Sequence, residues 1–211
     1  MSDFDLKISN GTVANSAETF SADIGVKDGK IIAIGKKLGD ADHEIDASGK
    51  YVLPGGIEAH CHIEQESSSG LMTSDDYYSG SVSAAFGGNT CIVPFAAQHR
   101  GQSLKDVLET YHDRAGPKSV VDYSFHLIIS DPTDTVLHQE LPKAIEEGIT
   151  SFKVYMTYDR SIVDDGQMLD ILAVAKKQGA LTMIHAENNA MIKWMSGKLI
   201  DAGHSAPKYH A

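Results

Sequence analysis

"GGIEAHCHIE", residues 55–64, is where the rhythm of this chain changes. Upstream lie short strand-like runs broken by turns. Downstream, strand-like and helix-like segments alternate. The stretch also carries His60 and His62. In an extended strand, side chains at i and i+2 leave the same face. The two imidazoles then point one way and Cys61 the other. Two neutral imidazoles at a strand end make half a metal site. Two surface histidines without a role are the plain alternative, and the rest of the chain decides between them.

Working forward, "NTCIVPFA", "VVDYSFHLIIS", "ITSFKVYMTY" and "ALTMIHAE" read as further strands. Between them, "TSDDYYSGSVSAAFGG" opens on a capping signal at Thr73 or Ser74 and closes at Gly87-Gly88. In "SLKDVLETYHDRAG", Leu104, Val107, Leu108 and Tyr111 repeat at helical spacing. "DTVLHQELPKAIEEG" reads as a helix interrupted at Pro142; "DDGQMLDILAVAKKQG" and "NNAMIKWMSGKLIDAG" read as helices. Alternating βα units imply a parallel sheet with helices outside it, here with five strands. Working backward, residues 1–54 read as a small β unit, part of a sandwich. Asn10-Gly11 and Asp28-Gly29 are hairpin signals within it. The expected domains are therefore 1–54 and 55–211.

Composition narrows the function. The 211 residues are 42% hydrophobic and 22% charged, as in soluble globular proteins. A net charge of −11 disfavours a nucleic acid or anionic membrane as partner. No apolar run approaches the roughly 20 residues of a membrane span, and "MSDFDLKISNG" is unlike a signal peptide. Cys61 and Cys91 alone make no disulfide framework, so the expected compartment is the cytoplasm.

In parallel α/β folds, catalytic groups gather at the C-terminal strand ends. His60 and His62 end one strand, His185 ends another, and Lys153 lies inside the apolar "ITSFKVYM". Burial disfavours a charged lysine and lowers its pKa. An edge strand or a snorkelling stem is the bland explanation for Lys153. A neutral buried amine can instead add carbon dioxide and become an anionic carbamate, an oxygen ligand for metals. For His185 alone, packing is the ordinary reading. The combination points to a metal site.

"PGGIEAHCHIE", "SAAFGGNTCIVPFA", "DYSFHLIISDP", "GITSFKVYMTYD" and "MIHAEN" resemble the cyclic amidohydrolases of the dihydropyrimidinase/hydantoinase family along the whole chain. The resemblance implies a (β/α)8 barrel flanked by a β-sandwich, of which this chain would supply about five βα units. It implies two divalent metals, usually zinc, bridged by a carboxylated lysine. Residue by residue, His60 and His62 match ligands of the more buried metal, Lys153 the bridging lysine, and His185 a ligand of the second metal. Tyr158 matches the tyrosine that hydrogen-bonds the developing oxyanion. The implied reaction is hydrolytic ring opening of 5-substituted hydantoins or dihydropyrimidines to N-carbamoyl amino acids. The implied assembly is a homotetramer, with a small cyclic diamide as its other partner.

This sequence also departs from the pattern. Glu58 stands where the family usually has aspartate, and reads as a supporting residue rather than a ligand. The loop "QESSSGLMTSDD" differs from the commoner hydantoinase loop. Loops 64–74 and 94–101 are expected to line the mouth. His126 reads as a hydrogen-bonded core residue, His112 as exposed, and His99 as a mouth-loop residue within approach of substrate; neither these nor His138 reads as a ligand. A closed barrel takes about 250 residues, so residues 55–211 are expected to be an incomplete barrel, inactive alone and prone to aggregate. The family's further histidine and aspartate ligands are expected on strands six and eight. Allantoinase and dihydroorotase are rival activities. A non-catalytic assembly scaffold is the rival class, and it has no use for a buried lysine.

Overall fold

In a computed structural model of the protein, residues 2–67 and 70–209 are described. Ser68 and Ser69, within the expected mouth loop, lie outside the described residues. The chain forms two compact units, Met1–Gly55 and Gly56–Ala211.

The first unit is a mixed sheet of β1 (Phe4–Ala14), β2 (Thr19–Lys27), β3 (Lys30–Gly35), β4 (Ala41–Asp46) and β5 (Tyr51–Val52). Its order is β3-β2-β1-β4, with β5 also on β1. It is consistent with one layer of the expected sandwich. Val13, Ala22 and Ile24 form its small core, with Ile8, Phe20, Val26 and Val52 packed around them. Asp28-Gly29 makes the expected tight turn, both residues having positive φ (52° and 71°). Asn10-Gly11 does not turn the chain. It lies inside β1, where the β1–β2 register slips between Ile8 and Gly11. Asn10 has φ 61°, its N–H donates to Asp23 Oδ1 at 2.9 Å, and its side chain donates to Asp46. A G1-type bulge and a type I′ turn each place a residue at positive φ, and here Asn10 takes it. Gly11 is needed for another reason: a Cβ there would meet Val52 at 2.6 Å.

The second unit alternates strands and helices: β6 (Gly56–Cys61), α1 (Tyr77–Phe86), β7 (Asn89–Ala97), α2 (Leu104–Ala115), β8 (Asp122–Tyr123), β9 (His126–Ile128), α3 (Leu141–Glu146), β10 (Ser151–Tyr155), α4 (Asp165–Gln178), β11 (Leu181–His185) and α5 (Asn189–Asp201). The sheet is parallel, in the order β11-β10-β9-β7-β6, with β8 also on β7. Strands thus follow one another across the sheet in chain order, as in the wall of a barrel. The core between sheet and helices is built from Ile92, Leu127, Phe152 and Ile171, all fully buried, with Leu104, Val107, Leu108 and Tyr111 of α2 supplying the predicted stripe.

Three local expectations are corrected. "VVDYSFHLIIS" is not one strand but β8 and β9. Pro94 on the neighbouring strand has no N–H to offer at the break. The helix in "DTVLHQELPKAIEEG" is interrupted as expected, but ahead of Pro142 rather than at it: a π-helical turn, Val136–Glu140, gives way to α3 at Leu141, because Pro142 lacks the N–H an α-helical ladder needs. Helix α1 is capped by Asp76, whose side chain accepts from Ser79 N at 2.8 Å. Thr73 is occupied elsewhere, its hydroxyl accepting from Gln65 N at 3.0 Å.

Asp164 caps α4 in a reciprocal pair with Gln167. Asp164→Ala is expected to cost about 1 kcal/mol, read as a lower denaturant midpoint with unchanged slope. No shift in the midpoint would show that the cap is replaced by water.

Candidate active site

His60 and His62 lie at the end of β6, and their rings share one neighbour, the fully buried Phe95 of β7. His62 stacks on it at 4.7 Å between centroids, and His60 meets it edge-on at 5.0 Å. The two imidazoles are 5.8 Å apart. Cys61 turns the other way and packs against the helix-side core, where burial raises its thiol to about 11. The i, i+2 reading of this strand end therefore holds in its geometry. Glu58 accepts from the His60 backbone N–H at 2.9 Å, so its carboxylate steadies the strand end. His62 Nδ1 is held by Gln65 at 2.6 Å.

Lys153 reaches the same ring from β10. Its Nζ lies 5.9 Å from the centroid of Phe95 and 5.3 Å from that of Tyr155. It is only 7% exposed. Among the described residues the ammonium has neither an ion-pair nor a hydrogen-bond partner, only these two ring faces. Burial pulls its pKa down from the ordinary lysine range, toward a neutral amine.

His185, at the end of β11, is paired in register with Tyr155, and their rings are 5.5 Å apart. Its Nε2 is bonded by the Glu187 carboxylate and lies 3.4 Å from the Tyr158 hydroxyl. Tyr158 adopts φ 69°, a left-handed turn that carries the ring back over His185. The structure thus brings His60, His62 and Lys153 around Phe95, and His185 and Tyr158 together beside Tyr155, on which Lys153 also lies. Among the described residues no three His, Cys, Asp or Glu side chains converge as a ready metal cage. The donor set fits divalent metals: two imidazoles and an amine without a counter-charge lie against one ring, and imidazole is a common ligand of such ions.

Sequence reasoning missed two contributors. Glu187 stands two residues after His185, the strand spacing that flagged His60 and His62. Phe95 carries no chemical signal, yet it is the floor under three of the named side chains. Of the other histidines, His126 is buried and doubly bonded, and His112 is exposed beside Tyr123. His99 is exposed and faces Glu66 of the neighbouring loop at 3.9 Å.

Residues 51–210 match the amidohydrolase family. The chain is 48% identical over 207 residues to the D-hydantoinase of Geobacillus stearothermophilus, covering 97% of this chain and 44% of that protein. A D-hydantoinase structure superposes with a TM-score of 0.94 at 44% identity, covering 99% of this chain and 45% of that one. The dihydropyrimidinase of Brevibacillus agri superposes with a TM-score of 0.92 at 41% identity, covering 97% and 45%. The chain therefore spans a little under half the length of these relatives.

Proposed function

This chain belongs to the amidohydrolase family, and from that premise we propose that the whole protein opens the ring of cyclic diamides, 5-substituted hydantoins or dihydropyrimidines, to give N-carbamoyl amino acids. The observation that carries the reading is Lys153, buried without a counter-charge and set against the same ring as His60 and His62.

In this reading the neutral Lys153 amine bonds to the carbon of carbon dioxide, and one proton leaves the nitrogen to solvent. The resulting carbamate, one negative charge shared by two oxygens, would be an anionic ligand for divalent ions, zinc by resemblance. His60 and His62 would hold the more buried ion, and His185 the second. When bound, such ions lower the pKa of water and polarise a carbonyl. Ring opening adds water across one amide: the carbonyl carbon gains a hydroxyl, its C–N bond breaks, and the nitrogen leaves with a proton. Tyr158 donates its hydroxyl to the carbonyl oxygen as charge develops there. Glu187, bonded to His185, fixes the orientation of that imidazole. Residues 64–67, 70–74 and 98–101 would meet the exocyclic substituent; residues 94–97, expected as loop, belong to β7. Residues 1–211, a little under half the length of these relatives, are read as inactive by themselves. The reading includes a cytoplasmic homotetramer. Among the described residues no helix is long and apolar enough to cross a membrane.

The experiment is an assay of the whole protein on a 5-substituted hydantoin and a dihydropyrimidine, with metal content measured alongside. Two metals per chain without turnover of either ring would overturn the substrate class. Tyr158→Phe is expected to lower kcat by about 10²-fold with metal content unchanged. An unaltered kcat would remove Tyr158 from the chemistry.

A further inference from the structure

His126 is bonded at both ring nitrogens, to two different strands of the sheet. It lies on β9 and is 8% exposed. Its Nε2 is 2.9 Å from the carbonyl oxygen of Ala59 on β6, and its Nδ1 is bonded to the Ser151 hydroxyl on β10. Strand β10 is a direct neighbour of β9, but β6 is two strands away, beyond β7. Two spacings in a sheet are roughly 9–10 Å. The bond to Ala59 therefore reaches past β7, alongside Phe95, whose ring is 5.2 Å from that of His126.

The two anchor points are not arbitrary. Ala59 immediately precedes His60, and Ser151 stands two residues before Lys153. The pairing of β6 with β7 slips between Glu58 and Cys61, so the ladder is irregular where His60 is carried. A carbonyl oxygen can only accept, so Nε2 holds the ring proton. A neutral ring then offers Nδ1 as acceptor, and the Ser151 hydroxyl donates. Burial keeps the imidazole below the ordinary histidine range, in keeping with that neutral form.

We infer that His126 is a positioning residue, which ties the backbone before His60 to the strand carrying Lys153 and so sets the distance between the two halves of the centre. It touches no reacting group and acts through Ala59 and Ser151. The inference rests on the metal-centre reading proposed above.

The test compares His126→Phe, which keeps a ring and removes both bonds, with His126→Gln, which can restore the donor to Ala59. Both are made in the whole protein. Zinc affinity is measured by competition with a chelator, and amide hydrogen exchange is followed at His60 and Cys61. In His126→Phe, zinc is expected to bind at least about tenfold more weakly, with faster exchange at both amides. His126→Gln is expected to recover most of each loss. Wild-type affinity and exchange in His126→Phe would overturn the inference. If His126→Phe does not fold, Ser151→Ala carries the same test: faster exchange at His60 supports the tie, and unchanged exchange overturns it. Wild-type protein that binds no zinc would overturn the proposed function instead, and the exchange comparison would still decide the role of His126.

Discussion

Lys153→Ala is expected to lower kcat/KM for ring opening by about 10³-fold, roughly 4 kcal/mol of transition-state stabilisation. The loss should be partly reversed by millimolar acetate or propionate. The reason lies in where the lysine sits. Its stem is buried on β10, and its amine meets only the faces of Phe95 and Tyr155. Truncation leaves a cleft of about the stem's size, open toward His60 and His62. A small carboxylate that enters the cleft returns the two oxygens that the carbamate would have supplied. A structural lysine would give another pattern: the variant would lose stability, and carboxylic acids would not restore activity. Labelling the whole protein with carbon-13 bicarbonate gives the direct check. A carbamate resonance that disappears in Lys153→Ala is the expected result. A metal-loaded, active protein with no such resonance would sink the assignment.

The second large effect is expected from His60→Ala combined with His62→Ala. The double variant should lose the more buried of two metals, and with it turnover. Both rings lie against Phe95, so their removal takes both imidazole donors away from that apolar floor. Glu58 is the nearest candidate substitute by sequence, but its carboxylate is engaged by the His60 backbone N–H, a bond the alanine substitution does not remove. His185, the proposed ligand of the second metal, is bonded to Glu187. Elemental analysis of the purified double variant decides the matter. Stoichiometry equal to wild type would reject His60 and His62 as ligands, whatever happened to the activity.

What could be read from the sequence depended on how local the signal was. The parallel sheet was legible because apolar strands and amphipathic helices alternate, and because each pattern has its own period. His60 and His62 were legible because a strand places i and i+2 on one face. Lys153 was legible because a charge in an apolar strand is costly unless it serves something. His126 could be read only as a core residue. Its two partners stand 25 and 67 residues away, and nothing near it in the chain announces them. Asn10-Gly11 was misread because its neighbours decide between bulge and turn: Asp23 and Asp46 hold Asn10 from other strands. The start of α1 was misplaced by two residues or more because Thr73, a good cap by type, had been drawn into the loop before it.

That loop closes upon itself. Glu64 N donates to Asp75 O at 2.8 Å, Thr73 N donates to Gln65 O at 3.0 Å, and Ser67 N donates to Leu71 O at 2.7 Å. Its base is fastened again by Lys118, which holds the Glu64 carboxylate at 2.9 Å, and by Arg114, which donates to the Glu64 carbonyl at 3.0 Å. Leu71 and Met72 stand out from this clasp, 71% and 50% exposed. Stem and projection are thus mechanically uncoupled: a change at Leu71 or Met72 removes none of the side-chain bonds from Lys118 and Arg114 that fasten Glu64 beside the histidine-bearing strand end.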